Sequence, residues 1–395
     1  MDVDVVIVGG GFAGASLACA LRESGLKLAL VERRPPSPPA ADWDSRVYSL
    51  TPASVAFLRN VGAWDRIDAS RVTQIHDMHI FGDDGRSRLD FSGYEAGVPE
   101  LAVTIESARL QHALWQGLQR QRNLSLLCPA TPSALVRRAG RVEIGLADGG
   151  VVSGRLAVGA DGADSWLRRA ADIDATAASY GQCGVVANFS CEKAHRNTAY
   201  QWFRRDGVLA FLPLPGRRIS IVWSTPEEHA RELLALPPAE LSRRVSTAGA
   251  EALGALEMIT PPAAFPLSRL SARSMIGLRV ALVGDAAHVV HPLAGQGVNL
   301  GFGDVHSLGA LLLEAEGRDP GDRLLLRRFE RSRAEDVLAM RWVTDGMFRL
   351  FGLGHPAAAR IRNLGLNLTN SSAVIKTLLA RRAIGIGGQI HRREM

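Results

Sequence analysis

Three glycines, Gly9, Gly11 and Gly14, stand between an apolar run, Val5-Val6-Ile7-Val8, and an alanine-rich stretch of helical character. G-x-G-x-x-G between a strand and a helix is the spacing that receives the pyrophosphate of a dinucleotide. Each glycine answers its own steric demand. Gly9 permits the tight turn. Gly11 lets the backbone approach an anion, which then sits at the positive end of the following helix. Gly14 lets that helix pack closely on the strand. Gly25 is placed to end the helix, and Leu28 to Val31 read as a second strand. Glu32 stands at the end of that strand, where a carboxylate can hold ribose hydroxyls. This motif serves NAD and FAD alike.

Two later stretches carry related chemistry. One is Ala157-Val158-Gly159-Ala160-Asp161-Gly162, continuing to Arg168. The other runs from Gly284-Asp285-Ala286-Ala287-His288 to Leu300. Each follows an apolar strand and combines glycine with an acid, so backbone N–H groups and a carboxylate point at one ligand. Asp285 is suited to a sugar hydroxyl. Gly295 to Gly297 lead into a helix near Val298 and offer free amides to an anion. His288 and His291 are close in sequence but lack a third ligand, so a structural or cofactor-lining role is expected rather than a metal site. Cys19, Cys128, Cys183 and Cys191 fit neither a C-x-x-C pair nor a zinc spacing.

These motifs need a frame. The first βαβ unit ends in Pro35-Pro36-Ser37-Pro38-Pro39, a stiff loop. Residues 52–64 read as a helix, as does the stretch with Leu110, Leu114 and Leu118. Asp148-Gly149 marks a hairpin. Residues 74–102 and 180–225 look β-rich, 226–254 polar and helical, and 279–284 a buried strand. Beyond 293 the pattern is almost wholly helical. The expectation is an α/β chain in which a Rossmann-type domain (1–73, 103–180 and 266–345) is interrupted by β-rich inserts. The inserts (74–102 and 181–265) would form one substrate domain, and 346–395 a helical C-terminal region.

The totals are compatible with this frame. The chain has 395 residues, 47% hydrophobic and 22% charged, with a net charge of +6. Length alone suggests two domains. The basic balance meets no nucleic-acid motif, so no nucleic-acid partner is expected. No apolar run reaches the ~18 residues of a membrane span. Met1-Asp2 leads straight into a strand, which makes a cytoplasmic location the expectation. Near the C-terminus Trp342, Met347, Phe348, Leu350 and Phe351 alternate with Arg341 and Arg349. An apolar face flanked by basic residues suits peripheral contact with an anionic inner-membrane surface, or a partner in a biosynthetic complex.

Taken in order, Gly9-x-Gly11-x-x-Gly14 with Glu32, Asp161-Gly162 and Gly284-Asp285 resemble the class A FAD-dependent monooxygenases of para-hydroxybenzoate-hydroxylase fold. The resemblance covers nearly the whole chain. Within that class the chain is most similar to the ubiquinone-biosynthesis hydroxylases. The residues that carry this are Asp44 to Leu50, Ala210 to Pro215, Gly284 to His288, Leu350-Phe351 and Arg362 to Leu366. The resemblance implies that Gly9, Gly11, Phe12, Ala13 and Gly14 hold the FAD pyrophosphate, and Glu32 with Arg33 the adenosine side. It implies that Arg46 stands beside the flavin and that Asp161 serves FAD and NADPH use. Asp285 would meet the ribityl chain. Pro292, Gly295, Gln296, Gly297, Val298 and Asn299 would lie along the ring, with Pro292 and His288 as candidates for its reactive edge. Many aromatic hydroxylases carry Arg-Gln where this chain has Glu106-Ser107, which leaves Arg109 a weak candidate for the pyrophosphate.

The activity so implied is aromatic hydroxylation. NAD(P)H reduces the flavin, O2 adds at C4a as a hydroperoxide, and one oxygen atom passes to an electron-rich ring, here a polyprenyl-phenol of ubiquinone synthesis. No catalytic side chain is required. Two alternatives stand beside it. One is a hydroxylase of a soluble aromatic or secondary metabolite. The other is a non-catalytic flavin-binding subunit of a quinone-biosynthesis complex. A flavin halogenase is disfavoured by the missing W-x-W-x-I-P signature. A simple NAD dehydrogenase would leave the two later motifs without a task.

Overall fold

Val5–Val8 is buried at every position and lies at the centre of a six-stranded sheet. In spatial order the strands are Ile276–Gly277, Val280–Leu282, Leu156–Gly159, Val5–Val8, Leu28–Val31 and Leu124–Leu127. All neighbours are parallel except the edge strand Ile276–Gly277. Strands of a parallel sheet are covered on both faces, which is why these segments are unbroken apolar runs rather than alternating ones. The helices Phe12–Ala20, Ser107–Leu118 and Gly297–Glu314 pack against one another beside this sheet. Leu110, Leu114 and Leu118 are all buried there. The computed structural model describes residues 1–291, 297–315, 317–352, 363, 365–370 and 376.

The second large sheet holds nine strands. Seven strands follow one another from Ala263–Ala272 through Ala175–Cys191, Arg218–Pro226, Gly207–Leu214, Thr198–Arg204 and Asp77–Phe81 to the edge strand Arg88–Ser92. His288–Val289 extends the first of these, and Leu256–Met258 adds to the second. The pairing of Asp77–Phe81 with Thr198–Arg204 is parallel and brings the two β-rich stretches of sequence into one sheet. Thr73–Ile75 and Ala102–Glu106, at the ends of the first stretch, instead join Val47–Leu50 in a separate three-stranded sheet.

Alternation divides the nine-stranded sheet into two faces. Trp202, Leu209, Phe211, Ile221 and Trp223 point to one side, where the helices Glu227–Ala235 and Pro238–Ala248 cover them. Ala199, Phe203, Val208 and Leu212 belong to small apolar clusters on the other side, which borders a cavity also lined by Val8, Val31 and Val283 at the ends of the six-stranded sheet. The β-rich stretch expected from 180 begins earlier, in a strand that runs from Ala175 to Cys191. Its first half consists of small, exposed residues that give no hydrophobic signal. Pairing with Ala263–Ala272 makes it a strand, with a register shift at Ser179/Gln182 beside Gly181, whose φ is +65°.

The turn between Val8 and Phe12 is the most crowded part of the frame. A Cβ on Gly9, whose φ is +100°, would lie 2.5 Å from the Ala160 carbonyl oxygen. A Cβ on Gly14 would lie 1.9 Å from the Gly9 oxygen, whereas one on Gly11 would meet nothing within 4 Å. Gly14→Ala must therefore push the helix off its strand. We expect a loss of about 1–3 kcal/mol in apoprotein stability by denaturant titration, while Gly11→Ala leaves the midpoint unchanged.

Candidate functional site

The glycine turn is held from three sides. The Gly10 N–H donates to Glu32 Oε2 at 2.6 Å. Its carbonyl accepts from Trp115 Nε1 and from Gln111 Nε2, each at 2.7 Å. Glu32 Oε1 also accepts from the Arg34 N–H. Gly11 is the N-cap of the helix Phe12–Ala20 and offers no capping side chain, so the first N–H groups of that helix remain available to an anion.

This turn opens into a cavity of 2730 Å3. Gly9, Gly11, Phe12, Ala13, Glu32, Arg33, Arg46, Asp161, Asp285, Gly297, Val298 and Asn299 all line it, although they come from distant parts of the sequence. Gly14 does not, because it is buried beneath the turn. Pro292, Gly295 and Gln296 lie outside the described residues. The opposite wall is the apolar face of the nine-stranded sheet, including Met78, Ile80, Leu89, Phe91 and Val208.

Two expected residues are employed elsewhere. Arg109 is not among the lining residues. Its Nε donates to Glu106 Oε2 at 2.8 Å. Glu106 is itself buried and also receives both Nε and an Nη of Arg71, each at 2.8 Å. Its Oε1 accepts from the Asp44 N–H, and Asp44 in turn caps the helix at Ala108. The Glu106 that departs from the aromatic-hydroxylase pattern thus fixes the loop carrying Arg46, whose guanidinium lies 4.1 Å from the Phe265 ring centre. His288 is likewise withdrawn from the cavity. It is buried, with Nε2 2.7 Å from Asp304 Oδ2.

Asp304 and Arg333 were not singled out from the sequence. Asp304 is fully buried, and its Oδ2 also accepts the Gly284 N–H at 2.9 Å. Its Oδ1 accepts Arg333 Nε at 2.8 Å. Burial opposes ionisation of Asp304, but His288 and Arg333 outweigh it and hold the carboxyl below its ordinary range. The available signal was an acid on an apolar helical face between Phe302 and Val305. The cluster fastens the Gly284-Asp285 turn from behind.

Asp285 then projects into the cavity, exposed to that space rather than to bulk water. The protein packed around it raises its carboxyl pKa, and the charges of His288 and Arg46 only partly offset this. Asp161 lines the cavity and also caps a helix, accepting the Leu167 N–H at 3.0 Å. Asn299 accepts from the Thr51 N–H and Ser54 Oγ and donates to the Ser49 carbonyl, which ties its helix to Val47–Leu50. His291 Nε2 lies 3.3 Å from Gln182 Oε1. Burial raises the Cys19 thiol to about 11 and the Cys191 thiol to about 12, so neither is a thiolate at neutral pH.

An anion cradle at the glycine turn, the Asp285 carboxylate and an apolar sheet wall, all lining one cavity, fit an extended flavin dinucleotide. Comparison with known proteins agrees. The FAD binding domain family matches residues 2–340. The ubiquinone hydroxylase UbiL of Rhodospirillum rubrum is 36% identical over 97% of this chain and 89% of its own. The 3-demethoxyubiquinol 3-hydroxylase of Escherichia coli is 34% identical over 97% and 98%. Among solved structures, PqsL, a probable FAD-dependent monooxygenase from Pseudomonas aeruginosa, superposes with a TM-score of 0.78 at 24% identity, covering 93% of this chain and 99% of that one. A Klebsiella pneumoniae HpxO variant complexed with FAD gives 0.76 at 18%, covering 98% and 99%, a likeness of fold. The chain belongs to the FAD binding domain family and is an FAD-dependent monooxygenase of the class that includes the ubiquinone-biosynthesis hydroxylases.

Proposed function

We propose that the protein hydroxylates the ring of a polyprenyl-phenol in ubiquinone biosynthesis, using NAD(P)H and O2. The observation that carries this reading is the single cavity of 2730 Å3 that joins the glycine turn to the apolar sheet face. Pockets for one drug-sized molecule run to roughly 300–1,000 Å3. The larger space suits a dinucleotide together with a second, largely apolar molecule. The names of the two curated relatives point to the same substrate class.

In this reading Gly11, Phe12 and Ala13 receive the pyrophosphate at the helix N-terminus. Glu32 exchanges its bond with the Gly10 N–H for ribose hydroxyls. Asp285 meets the ribityl hydroxyls, which return to it the hydrogen bonds that it lacks. Val298 and Asn299 border the ring, and Arg46 supplies a positive charge beside it. FAD, when bound, supplies the redox chemistry and oxygen activation. The chain's contribution is to orient the two rings and to keep water away from them by means of the apolar wall.

No described helix is long and apolar enough to cross a membrane. Contact at the surface is the reading we favour. Leu338 and Trp342, one helical turn apart, are 54% and 72% exposed on the helix Arg323–Gly352, beside Arg341. Such a face can rest among the headgroups of an anionic bilayer near a membrane-soluble substrate. The remainder of the basic tail expected to share this role lies largely outside the described residues.

Three outcomes test these assignments. Incubation of the FAD-loaded protein with NADPH, a short-chain prenylated phenol and labelled O2 should yield a product carrying one labelled oxygen by mass spectrometry. Efficient turnover of simple phenols with none of the prenylated one would select the soluble-aromatic alternative. Asp285→Asn should weaken FAD binding about 10- to 100-fold in a fluorescence titration, the range for a hydrogen bond to a charged group. It should also stabilise the apoprotein at neutral pH. The raised carboxyl pKa of Asp285 means that ionising it costs folding free energy, a cost absent below the ordinary value near ~3.9 and complete above the folded pKa. Finally, vesicles containing anionic lipid should carry the protein upward in a flotation gradient at low salt, and less so after Trp342→Ala. Absence of a floated fraction at low salt would remove the surface-contact reading.

A further inference from the structure

Gln201 sits in the middle of the apolar wall. Its neighbours two residues away, Ala199 and Phe203, belong to the apolar clusters on the cavity face of the sheet. Tyr200 and Trp202 pack on the opposite face. Alternation along Thr198–Arg204 therefore directs the Gln201 side chain toward the cavity. Across the strands it stands opposite Ala210 and Ile80, both cavity-lining residues. Gln201 is only 4% exposed, yet its amide makes no hydrogen bond among the described residues. An amide brings two donors and two acceptor lone pairs. The amide opens onto the cavity, so an apolar occupant that excludes water there would leave it unpaired, whereas a ligand oxygen would pair it. An aliphatic side chain would have continued the wall without setting that demand.

We infer that Gln201 is the group that recognises an oxygen substituent on the aromatic ring of the substrate. This rests on the reading of the cavity as the site of an aromatic hydroxylase. The chemical class follows from the surroundings. Met78, Ile80, Val208 and Ala210 accept an apolar body, and Gln201, with the Ser224 hydroxyl beside Val208, supplies the hydrogen-bonding positions. A phenol or ring ether offers an oxygen acceptor to the amide N–H, and a phenol also offers a donor to the amide oxygen. A purely hydrocarbon occupant would leave the amide unpaired. A strongly charged ring would find no counter-ion on this part of the wall. Gln201 thereby sets both which ring enters and how it is turned.

The test is equilibrium binding to the FAD-loaded, oxidised protein, read from perturbation of the flavin absorption band. The probes are a diprenylated phenol and its analogue with hydrogen in place of the hydroxyl. The unmodified protein should prefer the phenol by about tenfold, the size of one neutral hydrogen bond in a buried site. Gln201→Leu should bind the two probes alike while keeping its flavin content and spectrum. Gln201→Met, which retains an unbranched side chain, is the second variant should leucine disturb packing. Gln201→Asn should recover part of the preference. An unchanged preference in both apolar variants overturns the inference and leaves the aromatic-hydroxylase reading standing. Failure of the unmodified protein to bind either probe overturns both.

Discussion

The peptide of Gly10 is the point on which the site depends. Its N–H is held by Glu32 at the end of the second strand, and its carbonyl by Trp115 and Gln111 from a helix about a hundred residues further on. Gly9 presses against Ala160 at the end of a third strand, and Gly14 presses against Gly9. Four segments thus converge on one turn. Removing any of them would loosen the geometry that aims the helix N-terminus at an anion, because a helix dipole acts only near its first turn. The carboxylate of Glu32 closes this turn through Oε2, and its Oε1 accepts from the Arg34 N–H, so one side chain ties the turn to the end of the second strand.

A second, deeper anchor lies behind the cavity. Asp304 joins His288, the Gly284 N–H and Arg333, and so links the turn Gly284–Ala286, the helix Gly297–Glu314 and the helix Arg323–Gly352. A charge removed so completely from water is tolerated only when its oxygens are fully engaged, and here both are. Asp285, one residue along, faces the opposite condition: it is surrounded by protein but lacks a comparable set of donors. One carboxyl is held below its usual range and the other above it, although they are close in space. The contrast separates a group that fixes the backbone from a group left incomplete for a ligand.

How far this was legible in the sequence depended on distance along the chain. The glycine turn, its helix and Glu32 lie within one short βαβ unit, so spacing alone specified their placement. The Asp161 and Asp285 turns were legible because each follows an apolar strand. For His288 the sequence left a structural and a cofactor-lining role side by side, because its partner Asp304 lies sixteen positions away on a helix whose register the sequence does not show. Arg109 was only a weak candidate for the cofactor because of Glu106-Ser107, but nothing local revealed that Glu106 itself would engage it. The long strand Ala175–Cys191 was only half visible, since its small exposed residues are ordered by a partner strand rather than by burial.

Gln201 illustrates the limit most clearly. In sequence it stands between Tyr200 and Trp202, where a polar residue among aromatics reads as the solvent face of a strand. In the fold this sheet has no solvent face at that position. Helices cover one side, and the cavity occupies the other. A residue that periodicity alone would assign to water is therefore placed against a ligand. The same reasoning applies to any strand roofed on both sides. Once the fold has removed bulk water, a polar side chain must find its partner in the protein or in what the protein binds. Where the protein offers none, the polarity of the side chain becomes a statement about the ligand.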